Sequence, residues 1–158
     1  GFAARLLQYR SIEASPVAGT SRMLAARPEA AREIEALALA IRRETPSGGG
    51  LVVFPEGELL NFLAGRGNPI RHKLYLPGYL TDGNETEILR ELRQAPPAAI
   101  VLWRRPTSEY GRGLFGVDYG RKIRAWIDET YRVTPFRAPG APARSNPAFL
   151  LGVRSSGS

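Results

Sequence analysis

The chain has 158 residues, a formal charge of +7, one histidine and no cysteine, with 43% hydrophobic and 23% charged side chains. That length suits a single domain able to bury roughly two-thirds of the surface its unfolded chain exposes, and the composition is globular, not disordered. Without cysteine, disulfides, thiolate catalysis and Cys-ligated zinc are excluded, while the redox compartment stays open. No apolar run reaches the roughly 20 residues that cross a bilayer, and the apolar stretch within 1–10 is too short for a signal peptide. The basic excess suits an anionic partner, but the arginines are dispersed and no nucleic-acid signature occurs. Nucleic acid is therefore not an expected partner, and coding bias toward Ala, Gly, Pro and Arg accounts for the same excess.

An early strand is read around 6–13. The first clear helix starts at Pro28, whose fixed φ suits a first helical position, with Glu29 complementing the dipole. Ala30, Ile34, Leu37 and Ile41 form its expected apolar stripe, and Pro46 with Gly48, Gly49 and Gly50 stops it. Leu51 to Phe54 is a continuous apolar run, as expected of a strand covered on both faces. Pro55-Glu56-Gly57 turns it into a short helix over Glu58 to Ala64, and a Gly-, Pro- and Tyr-rich loop fills 65–83. A loop beyond about 12 to 15 residues tends to be functional or disordered, so this one is the first place to look for a site.

Asn84 is the expected N-cap of the next helix, with Glu87 as its capping-box partner and Ile88, Leu89 and Leu92 facing inward. Pro96-Pro97 ends it. A second buried strand is predicted over Ala99 to Trp103, followed by a glycine-containing loop over 104–117. Asp118 is the expected cap of a third helix carrying Tyr119, Ile123, Trp126 and Ile127 on one face and closing near Thr130. Strands over Tyr131 to Phe136 and 148–153, joined through a Pro/Ala/Gly-rich turn, predict a closing β-hairpin.

Strands separated by helices imply parallel neighbours joined by right-handed crossovers. The expected fold is α/β, a three-layer α/β/α sandwich, Rossmann-like, with a mostly parallel sheet and a C-terminal β-hairpin. One domain spans 1–158 with its core over about 28–153, and the strands at 51–54 and 99–103 are expected as parallel neighbours.

A nucleophile site is not expected. His72 sits in Arg71-His72-Lys73, where neighbouring positive charge favours its neutral form, and it reads as an exposed loop histidine with no identifiable carboxylate partner. No serine lies in a Gly-x-Ser-x-Gly elbow. Neither Gly48-Gly49-Gly50 nor Gly111-Arg112-Gly113 matches a nucleotide fingerprint, no metal-ligand spacing occurs, and no cofactor is expected.

The densest set of unusual residues, 54–69, follows the first buried strand, at the edge where open α/β sheets place ligands. Glu56 is able to pair with Arg66 or act on a ligand, and Asn61, Arg66 and Asn68 are able to bind hydroxyls or anionic oxygens. The competing reading, which we favour, is architectural: Glu56 and Arg66 lock a loop that Asn61 and Asn68 cap or turn. Tyr110 and Tyr119, like Tyr75 and Tyr79, are able to stack on sugar rings, to sit at a membrane interface or simply to pack. Glu56, Asn61, Arg66, Asn68, Tyr110 and Tyr119 are thus the ligand-binding candidates, with no catalytic residue and no metal ligand among them.

The series Phe54-Pro55-Glu56-Gly57, Leu60-Asn61-Phe62-Leu63, Gly65-Arg66-Gly67-Asn68-Pro69, Glu109-Tyr110-Gly111, Phe115-Gly116-Val117-Asp118-Tyr119-Gly120 and Trp126-Ile127, ending at Tyr131, resembles the soluble C-terminal region of bacterial polytopic membrane glycosyltransferases of the C superfamily, the dolichyl-phosphate-mannose–protein mannosyltransferase-like proteins. The likeness runs from about Pro28 to Phe136. It implies an extracytoplasmic, periplasmic accessory domain at the inner membrane, with residues 1–27 leading from a membrane helix. The partners implied are the protein's own membrane domain and a polyprenyl-phosphate-linked sugar or an acceptor, and the acidic catalytic residue lies in the membrane part. Two other readings stand beside it: a free-standing binding module for a sugar or an anion using the loop over 56–83, and a small independent enzyme, which the poor acid–base inventory disfavours.

Overall fold

The computed structural model describes residues 13–16, 23–26, 28–141 and 147–154. Strands β1 (Glu13–Pro16) and β2 (Met23–Ala26) pair antiparallel as a separate two-stranded ribbon. The strand expected over 6–13 meets β1 only at Glu13, and its remainder lies outside the described residues, as do residues 1–12 of the segment read as leading from a membrane helix.

Helix α1 (Pro28–Glu44) begins on Pro28 with Glu29 in its first turn and Arg42 and Arg43 in its last, each placed to complement the dipole. Its buried stripe is Ala31, Leu37, Ala38 and Ile41. The expected stripe therefore shifts by one residue at its start, with Ala30 exposed and Ile34 only half-buried. The other elements of the domain are β3 (Leu51–Phe54), α2 (Glu58–Ala64), α3 (Glu85–Gln94), β4 (Ala99–Trp103), a 3₁₀ turn (Ser108–Tyr110), α4 (Arg121–Thr130), β5 (Tyr131–Phe136) and β6 (Phe149–Arg154).

These strands form one sheet in the order β3-β4-β6-β5. β3 and β4 are parallel neighbours, Leu51 opposite Ala99 and Phe54 opposite Leu102, as their unbroken apolar runs require. The mostly parallel, Rossmann-like sheet is not what forms, because β4 pairs antiparallel with β6 and β6 antiparallel with β5. The reason lies in the hairpin. β5 runs in the same sense as β3 and β4 but stands one place away, and β6 returns into the gap between β4 and β5, so its two pairings outnumber the single parallel one.

The side-chain period of two sorts the strands onto two faces. Val52, Phe54, Ile100 and Leu102 face α3 and α4, where Ile88, Leu92, Ile123 and Ile127 are fully buried. Leu51, Val53, Ala99 and Val101 face α1 and α2, against Leu37, Ile41, Leu60 and Leu63. Each such fully buried aliphatic side chain contributes about 1.5 to 3 kcal/mol. The three-layer α/β/α arrangement thus holds, although the sheet is mixed.

Two helix starts differ from expectation. Glu87 does not close a capping box with Asn84; its carboxylate pairs with Arg71 instead. The box sits one turn earlier, where the Thr81 N–H donates to Asn84 Oδ1 (2.8 Å) and the Asn84 N–H donates to Thr81 Oγ1 (3.3 Å). Asp118 does not cap α4 either; its Oδ2 accepts from the Leu114 N–H at 2.8 Å within the preceding loop. The cap of α4 comes from another helix: buried Glu85, the first residue of α3, accepts from the N–H groups of Lys122 (2.8 Å) and Ile123 (3.1 Å) through Oε1. One carboxylate therefore satisfies a helix end and ties two helices on the same sheet face.

Candidate functional site

At the carboxyl edge of the parallel pair the chain leaves β3 through a cis Phe54-Pro55 bond and Gly57. A Cβ on Gly57 would come within 2.2 Å of Val53 Cγ1, so only glycine lets this turn fold back on the strand. Glu56 is thereby held over the edge beside the residues that follow β4. Arg105 is placed between two carboxylates, with Nε 2.9 Å from Glu56 Oε1 and an Nη 2.6 Å from Glu109 Oε1. Glu109's own backbone N–H, together with Arg105, holds its carboxyl below the usual carboxylate range. A carboxylate held ionised in this way is a poor general acid.

The loop after β4 is closed from inside by Thr107, which is fully buried and whose hydroxyl donates to Gly113 O at 2.6 Å. That closure places the 3₁₀ turn, with the Tyr110 ring half exposed, at the rim. Tyr119 packs inward instead. Its ring meets Phe115 edge-on (5.8 Å), Phe115 stacks on Phe54 (4.6 Å), and Phe54 packs on Tyr75 (4.4 Å), a chain of rings that passes through the last residue of β3. The Tyr119 hydroxyl is buried and has no hydrogen-bond partner among the described residues. Burial raises its pKa, so it stays a neutral phenol.

Beside Glu56 opens a cleft of about 350 Å³ lined by Glu56, Gly57, Glu58, Leu59, Lys73, Leu74 and Trp103. Trp103 ends β4 and is backed by Phe149, the rings stacked at 5.9 Å. Lys73 Nζ lies 3.4 Å from Glu58 Oε1 across the mouth.

Asn61, Arg66 and Asn68 belong to the other end of β3. Asn61 Nδ2 donates to Leu51 O (2.7 Å) and to Arg66 O (3.1 Å), and the Leu51 N–H donates to Gly67 O (2.9 Å). Further along, the Tyr75 N–H donates to Pro55 O at 2.8 Å. The loop thus covers the open edge of β3 at both ends, which protects it from pairing with another chain. Arg66 turns to α1: Nε donates to Thr45 Oγ1 (3.0 Å), and an Nη donates to the carbonyls of Thr45 (3.1 Å) and Arg42 (3.3 Å). A guanidinium on the last carbonyls of a helix satisfies orphan acceptors and complements the dipole. Asn68 makes a local turn, accepting from the Ile70 N–H (3.1 Å) and donating to His72 O (3.0 Å).

The six ligand candidates are accordingly divided. Glu56, Tyr110 and Tyr119 gather around the loops at the carboxyl edge, whereas Asn61, Arg66 and Asn68 brace the opposite end and the β3 border. Glu56 pairs with Arg105 and not with Arg66. His72 also departs from the exposed, partnerless reading, since Nδ1 lies 3.0 Å from Glu91 Oε2 and its side chain is largely covered. Burial works to raise the Glu91 carboxyl, but the hydrogen bond and charge of His72, with Arg71, outweigh it and hold Glu91 below the usual range.

Arg105 and Trp103 were not among the candidates. Their signal lay in the parallel pairing: with Phe54 opposite Leu102, the residues one to three places further on must emerge side by side. Among the described residues no group of three or more acidic, His or Cys side chains is arranged to hold a metal ion, and no helix is long and apolar enough to cross a membrane. No protein-family model matches the chain, and comparison with curated proteins and with solved structures returns no match.

Proposed function

We propose that this chain is a non-catalytic accessory domain of a membrane glycosyltransferase that uses a polyprenyl-phosphate-linked sugar, and that it stands on the extracytoplasmic face against its own membrane domain. The sequence likeness to the C-terminal regions of such proteins suggests the assignment. The observation that carries it is an apolar face on α2, where Leu59 and Phe62, one turn apart, are 50% and 56% exposed. Leu59 lines the carboxyl-edge cleft and Phe62 lies one turn further along the helix, beside Asn61 and Arg66, and two large apolar side chains half exposed on one short helix suit a surface against which another domain rests. The carboxylates nearby share one guanidinium, which suits recognition better than proton transfer. Transfer chemistry in this reading belongs to the membrane part.

The test is cysteine cross-linking in the protein translated from the complete reading frame. Leu59→Cys and Phe62→Cys should each form an intramolecular cross-link to a cysteine placed in an extracytoplasmic loop of the membrane domain, while Arg93→Cys, at an exposed position of α3, should not. A reading frame without membrane spans, or equal cross-linking from all three positions, would overturn the proposal.

A further inference from the structure

The cleft beside Trp103 has a chemistry at odds with the charge of the chain. The whole protein carries +7, yet the described lining of this cleft holds two carboxylates, Glu56 and Glu58, and one cation, Lys73, while Arg105 behind Glu56 is shared with a further carboxylate, Glu109. Arg105 is held by two carboxylates, Glu56 and Glu109. A phosphate or a carboxylate ligand would meet a net negative wall with its strongest cation already engaged, so the basic composition does not describe this site.

What the cleft offers is suited to a neutral ring bearing hydroxyl groups. Glu56 bonds Arg105 through Oε1, which leaves Oε2 to accept, and its side chain is 31% exposed at the cleft wall. Lys73 Nζ, which among the described residues is engaged by Glu58 at 3.4 Å, retains protons to donate. An acceptor and a donor across a gap are the pair that adjacent hydroxyls satisfy together. Leu59, Leu74 and the Trp103 ring supply an apolar wall for the C–H face of such a ring, and Phe149 fixes the indole from behind. The volume of about 350 Å³ lies within the range of small-ligand sites. The location agrees, since ligands of open α/β sheets bind outside the carboxyl ends of parallel strands.

We propose that the cleft between Glu56 and Trp103 binds a neutral, hydroxyl-rich six-membered ring of the hexopyranoside class, with Glu56 as acceptor, Lys73 as donor and Trp103 as the stacking wall. The inference deepens the accessory-domain reading by placing a sugar at the edge of the docking face, but it is tested on the 158-residue chain alone. Absence of binding would sink it without touching the cross-linking result.

The experiment is a two-dimensional amide and indole NMR titration with methyl hexopyranosides of gluco, manno and galacto configuration, myo-inositol, inorganic phosphate and ethanolamine. At least one methyl hexopyranoside should shift the Gly57 and Leu59 amides and the Trp103 indole with a Kd near about 1 mM, an ordinary strength for one ring in an open cleft. Glu56→Gln and Trp103→Phe, each checked for an otherwise unchanged spectrum, should weaken that binding by about tenfold or more, whereas Arg93→Ala should not. Inositol binding in place of a hexopyranoside would move the assignment to a lipid-type headgroup and reject the hexopyranoside. Phosphate or ethanolamine as the better ligand, no saturable shift from any probe, or binding indifferent to Glu56→Gln would each reject it as well.

Discussion

Glu85 is the residue whose removal should reveal most about how this domain is held. The residue is 5% exposed, and its carboxylate accepts two backbone N–H groups at the start of α4, 2.8 Å from Lys122 N and 3.1 Å from Ile123 N. In Glu85→Ala both donors lose their partner. Lys122 is exposed, so water replaces one bond cheaply, but Ile123 is fully buried and its N–H is left unsatisfied. Loss of a helix cap costs about 1 kcal/mol and a hydrogen bond to a charged group about 1.5 to 3, so the variant should lose about 2 to 4 kcal/mol. At this chain length that corresponds to roughly 5 to 15 °C in Tm. Glu85→Gln keeps an oxygen acceptor and loses only the charge, and should cost under about half as much. Urea unfolding followed by the fluorescence of Trp126, itself on α4, gives both values, with an unchanged slope showing that stability alone has moved. A loss below about 0.5 kcal/mol for Glu85→Ala, or equal losses for both variants, would refute the cap.

Arg66→Ala should lower stability by about 1 to 3 kcal/mol and open 67–83 to limited proteolysis, with Arg66→Lys intermediate because it lacks the fork that reaches Thr45 and Arg42 together. Unchanged melting and proteolysis would return Arg66 to the ligand candidates. Tyr119→Phe removes a buried hydroxyl without a partner and should leave stability unchanged or raise it by up to about 1 kcal/mol, whereas a clear loss would reveal a bond the geometry does not contain. Glu91 has a depressed carboxyl pKa in the folded state, so its contribution is present above the ordinary carboxylate pKa of 4.5 and is lost as pH falls through the lower folded value. Urea midpoints between pH 3 and 6 should therefore fall less steeply for Glu91→Gln, and an identical acid limb would rule out the His72–Glu91–Arg71 cluster as its source.

The parts of the fold legible in the sequence are those where local chemistry and tertiary packing agree. The runs Leu51 to Phe54 and Ala99 to Trp103 announce strands covered on both faces, and both are. Pro28 and the pattern at Ile123, Trp126 and Ile127 likewise place helices where they form. Strand order was not legible. Whether β6 adds beyond β5 or slips in between β5 and β4 depends on where β5 lands, and nothing in the residues of β5 itself encodes the vacant place beside β4. Helix caps misled for a related reason. Asn84 and Asp118 have the right chemistry at the right spacing, but Thr81 and Leu114 compete for them, and Glu85 arrives at α4 from 37 residues away.

The candidate site shows where such reading stops. Glu56, Asn61, Arg66 and Asn68 lie within 13 consecutive positions and read as one constellation after one strand. Helix α2, however, carries the chain from the carboxyl edge of β3 back toward its start, so residues adjacent in sequence face opposite ends of the sheet. Glu56 takes its partner from the loop after β4, and Arg66 takes its acceptors from the end of α1. The short helix is thus a strut with different duties at its two ends: one end presents Glu56 beside Trp103 at the cleft, and the other anchors the strand that supports it. A substitution at the anchor should loosen the border loop through stability alone, while one at the cleft should change recognition and leave melting nearly untouched. Comparing Arg66→Ala with Glu56→Gln by melting and by ring titration separates the two ends. If Arg66→Ala abolished binding at full stability, the division of the segment into anchor and recognition ends would be wrong.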